Sequence, residues 1–411
     1  MAASGDASSD QWSFLTFNKM RFKPPVTANL VKNFDPAVIK GDAGLTHVVV
    51  HPRFPQLVEA FLEHKRAHGS SYEKALYTTP ADYTWRQQVA RLIEKRPLVF
   101  MGSNDHTMLR DGIVLGHDST VEWDRNGTDQ QQLNRRLTLD EYLSYDEIML
   151  GSLIGVSGPS HFINDGNRYN MARPGAKGTF QERGIIIGLV GARFERHDRM
   201  DSVHILPIVK RPKQHLELSK LFQDFFGVPK AEEKNFDQDM YQARMRITFD
   251  IILLEANDRA KEAGKTAHVY LVGLGLGVWQ EHQMQPEWYV NAFATALESL
   301  QIPHITTIEL AWIKVDMSTQ QRAKAAGQKQ NIKVIFSKRN PAERLTSDEL
   351  LVLSYAWDGN ALPGNEYWQG SLCGSGDPAA ACMSTIGELH NPLVNPEFVG
   401  RIKTAGQAAY A

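Results

Sequence analysis

The run LLVLSYAWDGNALPGNEYW, residues 350–368, decides the fold class, because a continuous apolar segment ends abruptly in a polar loop. Strands that are covered on both faces carry apolar residues at successive positions, and residues 350–356 fit that pattern. The loop that follows contains Asp358, Asn360 and Glu366. Ligands of open α/β sheets bind beyond the carboxyl ends of the strands, so the sequence predicts a binding site in this loop.

Helical and strand patterns alternate around this run from about residue 216 onward. Helices are predicted over residues 242–264 and 286–300. Strands are predicted over residues 267–275, 305–313, 332–337 and 350–359. Strands that alternate with helices form a parallel or mixed sheet with helices packed on it. The chain is therefore expected to be an α/β protein.

A second glycine-containing loop follows the strand HVYLVGLG, with Gly273, Gly275 and Gly277 at alternating positions. Glycine permits positive φ angles and close approach of the backbone, so amides in such a loop can point at a phosphate. The spacing is neither the dinucleotide fingerprint nor a P-loop. A purely structural alternative, in which these glycines only allow a tight turn, remains open.

Three carboxylates, Asp358, Glu366 and Asp377, lie within 20 residues of one another after the strand of residues 350–356. They lie beside amide, glycine and aromatic residues at the end of a buried strand, where ligands of open α/β sheets bind, so they are candidate site residues. The alternative for Asp377, which precedes Pro378, is a helix N-cap. For Asp358 and Glu366 the alternative is turn formation and solvation.

The same loop has the groups that a sugar diphosphate requires. Its backbone amides and the start of the following helix could bind a pyrophosphate. Asn360 could bind ribose hydroxyl groups together with a carboxylate, and Tyr367 or Trp368 could stack on a ring. These features predict a nucleotide-sugar ligand.

The segment from Asp140 to Pro207 is predicted to contain a helix over residues 139–155, a long polar loop over 157–178 and a strand over 183–194. Long ordered loops are often functional, so we expect this one to be a lid. The candidate lid residues are Ser160, His161, Asn164, Asn167 and Tyr169. A single histidine in a polar loop is more often solvated than catalytic. Arg193, Arg196 and Arg199 follow the strand, and pairing with neighbouring acids at the surface is favoured over ligand binding.

Composition limits the class of protein. The 411 residues carry a formal net charge of −2, so no positive field indicates a nucleic-acid partner. Two cysteines, Cys373 and Cys382, are too few for a disulfide framework. This favours an intracellular location in the cytoplasm. Neither a signal peptide nor a membrane span is expected. Residues 1–12 are predicted to be a disordered tail and residues 13–139 an N-terminal α/β extension or subdomain.

The run VLSYAWDGNALPGNEYW resembles the ribose and diphosphate loop of macrodomains of the poly(ADP-ribose) glycohydrolase type. The run HVYLVGLGLGVWQ resembles the second phosphate loop of that group, but it comes first in this chain. The reversed order suggests a circularly permuted macrodomain. The chain is most similar to the arginine-specific macrodomain family typified by the Legionella effector MavL and its eukaryotic relatives. The likeness covers about residues 140–400, within a macrodomain-like region expected to span 140–411.

The resemblance implies a three-layer fold with a mixed central sheet and an ADP-ribosylhydrolase that cleaves ADP-ribose from arginine. It assigns catalysis to Asp358, Glu366 and Asp377, with no cofactor and no metal. Its expected partners are ADP-ribose and ADP-ribosylated protein. A non-catalytic ADP-ribose reader and a metal-dependent nucleotide-sugar hydrolase are the alternatives. The ligand-binding residues it implies are Asn360, Gly364, Asn365, Tyr367, Trp368 and Gly376, together with Gly273, Leu274, Gly275, Leu276, Gly277, Val278 and Trp279.

Overall fold

The computed structural model describes residues 11–207, 214–230 and 235–406. The chain folds into strands and helices of α/β type. The strands are β1 (His47–Val50), β2 (Val99–Met101), β3 (His106–Met108), β4 (Val114–Leu115), β5 (Ile154–His161), β6 (Arg183–Leu189), β7 (Ala267–Leu271), β8 (Ile305–Ala311), β9 (Lys333–Ser337), β10 (Leu350–Ala356) and β11 (Ile402–Thr404).

Most of the helices follow the strands that they cover. The α-helices are α1 (Pro36–Leu45), α2 (Phe54–His68), α3 (Ser71–Thr78), α4 (Trp85–Glu94), α5 (Ser119–Arg125), α6 (Tyr145–Gly151), α7 (Ser202–Ile205), α8 (Leu216–Phe226), α9 (Gln238–Glu262), α10 (Gln285–Ser299), α11 (Met317–Gln328), α12 (Asn365–Trp368), α13 (Gly376–Met383) and α14 (Ile386–Leu389). The helices and strands predicted after residue 216 are thereby confirmed, with shifts of a few residues at their ends.

The main sheet has eight strands in the order β11-β1-β5-β6-β10-β7-β8-β9. Strand β5 runs antiparallel to both of its neighbours, whereas β6, β10, β7, β8 and β9 are parallel to one another. The sheet is therefore mixed, as expected. Strands β2, β3 and β4 form a separate small antiparallel sheet.

Three parallel strands lie side by side in the middle of the main sheet, in the order β6, β10 and β7. Their carboxyl ends are at Leu189, Ala356 and Leu271. Parallel strands end at the same edge of a sheet, so the loops that follow these three strands meet there although they are far apart in the chain. This edge contains the predicted glycine loops.

Helices pack on both faces of the sheet. Successive side chains of a strand point to opposite faces. On β5, the Ser157 hydroxyl donates to Glu255 of α9 at 2.7 Å, whereas the Ser160 hydroxyl lies 2.9 Å from the Thr385 hydroxyl, next to α14. The sheet is thus enclosed between two helical layers, and its central strands are buried as their sequences predicted.

The N-terminal region contributes a strand to the main sheet. β1 lies between β11 and β5, and His47 pairs with Ser157 in the antiparallel register. Arg259 of α9 donates to the Glu255 carboxylate at 2.7 Å and to the Leu45 carbonyl oxygen at 3.0 Å, which fixes this strand to the central helix. Residues 13–139 therefore do not form an independent layer beside the sheet.

The segment after residue 139 differs from its predicted structure. The helix is shorter than 139–155, because a capping box between Ser144 and Glu147 starts it and the chain turns into β5 after Gly151. The run IGVSGPSH, residues 154–161, forms a strand where most of it was predicted to be loop. Glycine, proline and serine gave no strand signal, and pairing with β1 and β6 on both sides determines this conformation.

The N-terminal tail predicted over residues 1–12 lies outside the described residues except for Gln11 and Trp12. Trp12, the last residue of the predicted tail, is buried in a hydrophobic cluster with Leu15 and Val31. Over the ranges that the structure describes, the helices are too short or too polar to cross a bilayer.

A fully buried ion pair joins α9 to the loop after β6. Arg244 Nε donates to Asp201 Oδ1 at 2.9 Å, and neither side chain is accessible to solvent. The same guanidinium donates to the carbonyl oxygens of Ser152 at 2.9 Å and Val190 at 3.4 Å. A buried ion pair needs several such hydrogen bonds to offset the free-energy cost of removing both charges from water.

Replacing Arg244 by methionine should lower the free energy of unfolding by about 3–5 kcal/mol, because Asp201 would keep a buried charge without its partner. Urea denaturation followed by tryptophan fluorescence measures this change. Lys220→Met is the matched control, since its ion pair with Asp224 is exposed and should contribute less than about 1 kcal/mol. Equal effects of the two substitutions would contradict a structural role for the buried pair.

Candidate active site

The loops after β6 and β7 touch through their backbones. Gly275 has a φ of +77°, and a Cβ at this position would lie 2.9 Å from the carbonyl oxygen of Ala192. A Cβ on Gly191 would lie 2.5 Å from the nitrogen of Gly275. Only glycine allows this approach at both positions without a shift of the backbone. Gly275 is therefore a close-approach residue and does more than allow a tight turn, whereas a Cβ on Gly277 would meet no atom within 4 Å.

The start of the loop after β7 is held by a hydrogen bond from α10, and part of the loop is exposed to solvent. Tyr289 of α10 donates its hydroxyl proton to the Val272 carbonyl oxygen at 2.7 Å, while Leu274 and Trp279 are buried. Val278 is 91% exposed. Within the described chain, the backbone N–H groups of Gly277 and Val278 donate to no protein acceptor. Unpaired amides in a glycine loop can bind an anion.

Asp358 lies two residues beyond the end of β10 and is partly exposed. The Asn365 side-chain amide donates to one of its carboxylate oxygens. Burial raises the pKa of Asp358 to about 7, although the charge of Arg193 lowers it, and Glu195 and Glu366 add to the increase. A carboxyl group with this pKa exchanges its proton near neutral pH, which suits it to acid–base chemistry.

Asp377 is buried in the first turn of α13 but does not cap that helix. The N-cap is Ser375, so the alternative interpretation of Asp377 as a helix N-cap is wrong. Asp377 Oδ1 accepts a hydrogen bond from the Gly364 N–H at 3.2 Å, and its Oδ2 is buried without a partner among the described residues. Burial raises the pKa of Asp377 well above its usual value, and the charges of Asp358 and Glu366 raise it further.

Glu366 is the third carboxylate and lies at the start of the short helix α12. Its Oε1 accepts a hydrogen bond from the Ser375 hydroxyl at 2.7 Å, which connects α12 to the start of α13. Its charge acts on both Asp358 and Asp377. The structure therefore brings the three acidic residues singled out in the sequence into one electrostatically coupled cluster.

The two asparagines of the loop have different environments. Asn365 is buried, and its Oδ1 accepts a hydrogen bond from the Phe100 N–H at 3.1 Å, so it orients Asp358 from a fixed position. Asn360 is fully buried, and neither its amide nitrogen nor its carbonyl oxygen has a partner within the described chain. Such groups are rare in native proteins and call for an explanation. Gly364 has a φ of +74° beside them, and Gly376 begins α13.

Tyr367 and Trp368 are core residues and do not line the site. Both are buried in a hydrophobic cluster with Leu98 and Cys382, and the Trp368 indole donates to the Pro363 carbonyl oxygen at 3.1 Å. One of them was predicted to stack on a ligand ring. Neither ring has an exposed face for that contact. Their packing explains instead how the loop is held in shape.

Arg193 is a functional candidate that the sequence analysis did not select. It was expected to pair at the surface, but it is buried and its guanidinium lies 4.5 Å from the ring centroid of Phe100. Its Nε donates to Glu195 at 2.6 Å, and its Nη1 is buried without a partner among the described residues. Its position immediately after a buried strand was the available signal, because residues there lie at the binding edge of the sheet.

The predicted lid residues lie in a strand and a turn. Ser160 and His161 belong to β5, and the His161 ring stacks on Phe34 with centroids 4.2 Å apart. Asn164 is buried and donates to the Arg173 carbonyl oxygen at 3.1 Å. Tyr169 is 70% exposed, and Asn167 Oδ1 accepts from its N–H at 2.9 Å.

This segment nevertheless contacts the acidic loop. The Gly374 N–H donates to the Arg168 carbonyl oxygen at 3.0 Å, and the Asn170 amide donates to the Ala379 carbonyl oxygen at 3.0 Å. The turn of residues 164–173 therefore stabilises α13 through hydrogen bonds, and α13 is the helix that contains Asp377.

Comparison with known proteins identifies the family of this chain. A family described as ADP-ribosylhydrolase MavL-like matches residues 26–215 and 213–406. The chain belongs to the MavL-like ADP-ribosylhydrolase family. It is a hydrolase of ADP-ribosyl bonds, which is the enzyme class that the resemblance of its loops predicted.

Two relatives of this ADP-ribosylhydrolase come from Drosophila melanogaster. The ADP-ribosylarginine hydrolase CG3568 is 35% identical over 413 aligned residues, which cover 88% of this chain and 78% of the relative. The ADP-ribosylarginine hydrolase CG2909 is 31% identical over 406 residues, which cover 88% of this chain and 79% of the relative. The family match also begins at residue 26, so it includes the N-terminal region that the resemblance had left unexplained.

In the ADP-ribosylhydrolase, Asp358→Asn should increase stability above pH 7. The pKa of Asp358 is about 7 in the folded protein and near 3.8 in an unfolded chain, so the unfolded state ionises first as the pH rises. The wild type loses stability between about pH 4 and 7, by at most about 4 kcal/mol, and the neutral amide avoids this loss. The unfolding midpoint in urea at pH 4, 6 and 8 measures the difference.

Asp348→Asn is the control for this experiment, because its side chain is 95% exposed and paired only with Lys265 at the surface. It should leave the midpoint unchanged at each pH. A difference between Asp358→Asn and the wild type that stays constant from pH 4 to 8 would contradict a raised pKa.

Proposed function

We propose that this hydrolase removes ADP-ribose from arginine side chains of proteins. The observation that carries the proposal is the coupled cluster of Asp358, Glu366 and Asp377 at the end of β10, two of whose pKa values are raised. The names of the two Drosophila relatives, which specify ADP-ribosylarginine, support the linkage. A reader that binds without hydrolysis would not require such a cluster, whose like charges destabilise the fold.

The proposed ligand position follows from the loops that meet at the sheet edge. The unpaired amides of Gly277 and Val278 are suited to the diphosphate. The unpartnered amide of Asn360 is suited to the ribose hydroxyl groups. Arg193, whose Nη1 has no partner among the described residues, can bind an oxygen of either group.

The proposed reaction is attack of water on the anomeric carbon of the ribose that bears the arginine. The carbon–nitrogen bond breaks through an oxocarbenium-like transition state, and the cationic guanidinium leaves as neutral guanidine, which is then protonated. Asp358, about half ionised near pH 7, accepts the proton of the water. Glu366 stabilises the positive charge of the transition state, and Asp377 Oδ2, which has no partner among the described residues, binds a ribose hydroxyl group.

We also propose that the fold is a circularly permuted macrodomain. The support is the chain order of the two loops. The candidate phosphate loop follows β7, the candidate ribose loop follows β10, and both lie on the same edge of one mixed sheet. The alternative of a metal-dependent nucleotide-sugar hydrolase has less support, because the three carboxylates do not form a compact group of ligand atoms among the described residues.

Replacing Gly275 by valine should abolish binding of free ADP-ribose, because a side chain there collides with the Ala192 carbonyl oxygen and forces the two loops apart. Isothermal titration calorimetry measures the binding. Gly44→Val is the matched control, since Gly44 lies on α1 outside the proposed site and a Cβ there meets no atom within 4 Å. The proposed ligand position is wrong if Gly275→Val binds as tightly as the wild type while retaining its circular dichroism spectrum.

Asp358→Asn, Glu366→Gln and Asp377→Ala should each reduce the rate of hydrolysis of ADP-ribosylated arginine by about 100-fold or more, because a general base, a group that stabilises transition-state charge and a group that orients the substrate each contribute factors of this size. Release of ADP-ribose from an arginine-modified peptide measures the rate, and calorimetry on each variant shows whether the ligand still binds. Asp348→Asn serves again as the exposed control. Wild-type binding without turnover would favour the reader, and loss of turnover in a chelator would favour the metal-dependent enzyme.

A further inference from the structure

A cluster of imidazole and carboxylate groups lies outside the candidate active site, where α2 meets the start of α8. His64 and His68 are four residues apart at the end of α2, so they lie on the same face of the helix. His215 immediately precedes α8, and Glu217 is in its first turn. One Glu217 carboxylate oxygen, Oε2, lies 3.6 Å from both His64 Nδ1 and His68 Nε2.

The ligand atoms of this cluster are close enough to share one ion. Those of His64, His215 and Glu217 all lie within 4.8 Å of one another, and among the described residues this is the group that meets that spacing. The ring centroids of His64 and His215 are 4.9 Å apart, and those of His64 and His68 are 5.1 Å apart. Zinc bonds of about 2.0–2.1 Å place ligand atoms roughly 3.3 Å apart, so modest rotation of the side chains completes a tetrahedron.

We propose that His64, His68, His215 and Glu217 bind a divalent transition-metal ion of the zinc class. Three imidazoles and one carboxylate are the donors that zinc prefers, whereas calcium and magnesium require oxygen ligands. Histidines four residues apart on a helix chelate such an ion in other proteins. Without a metal, three imidazoles converge on a single carboxylate, which can accept from them but cannot compensate all three if they are protonated.

His64 is the most buried ligand of the cluster. Its side chain is 8% exposed, while those of His68 and Glu217 are 51% and 65% exposed. Lys65 is itself paired with Glu73 and Asp146, so it does not compete for Glu217. One anchored ligand and three adjustable ones allow the site to close around an ion.

The proposed ion has a structural role. It would join α2, which follows β1 in the chain, to α8, which precedes the central helix α9. None of its ligands belongs to the acidic cluster at the end of β10. An ion that binds only the folded state stabilises that state according to its concentration and affinity. We therefore expect zinc to raise the unfolding temperature without taking part in hydrolysis.

The test is a titration of untagged, chelator-treated protein with zinc chloride, followed by calorimetry and by thermal unfolding. We expect one zinc ion per chain and a higher unfolding temperature in the presence of zinc. His64→Ala and His215→Ala should each weaken binding by at least about tenfold, because even loss of groups behind the ligands has effects of this size. Cobalt chloride as a second probe should give the intense visible bands of a tetrahedral site.

Two controls separate this site from other zinc-binding groups of the chain. His117→Ala removes an exposed histidine outside the cluster, and Cys373→Ser removes the exposed free thiol. Both variants should bind zinc as the wild type does. The proposal is overturned if the wild type binds no stoichiometric zinc, or if His68→Ala and His215→Ala, whose side chains are exposed, both bind it with unchanged affinity. Hydrolysis by the variants verifies that they are folded.

Discussion

The buried ion pair between Arg244 and Asp201 is the interaction on which the arrangement of the site depends. Arg244 lies on the central helix α9 and donates to the carbonyl oxygens of Ser152 and Val190, so one side chain fixes the turn before β5 and the end of β6. The second carboxylate oxygen of Asp201 accepts from the Arg193 N–H at 2.9 Å. The backbone that positions the Arg193 side chain is thereby tied to the core of the molecule. Because both charges are desolvated, the geometry has little freedom to vary.

The acidic site is maintained at the expense of stability. Burial combined with the charges of neighbouring carboxylates raises the pKa values of Asp358 and Asp377. Asn360 adds a buried amide with no partner in the described chain. The surrounding structure offsets these costs through a buried aromatic cluster beneath the loop, which includes Tyr367 and Trp368, and through close contact of the β6 and β7 loops. Strain and unpaired polar groups of this kind are concentrated at functional sites in general.

Much of the fold and part of the site could be predicted from the chain alone. The apolar runs of β6, β7 and β10 identified buried strands, and the glycines at 273–277 and the acids at 358–377 identified the loops. Other predictions failed for local reasons. The segment 154–161 has no strand pattern and is extended only because two neighbours pair with it. Tyr367 and Trp368 were assigned to the ligand because aromatic residues in a polar loop can bind a ring or fill a core, and local sequence does not distinguish these roles.

The sequence by itself determined the α/β class, the positions of the central strands and the identity of the three carboxylates, because apolar periodicity and residue type are local properties. The tertiary structure determined which of these residues lie close together. Arg193 was indistinguishable in sequence from Arg196 and Arg199, yet it alone of the three is stacked on Phe100 beside Asp358. Likewise, His64 and His215 are about 150 residues apart in the chain, and their proximity follows from the packing of α2 against α8. Long-range pairing of strands and helices depends on the whole core, so no single segment of the sequence encodes it.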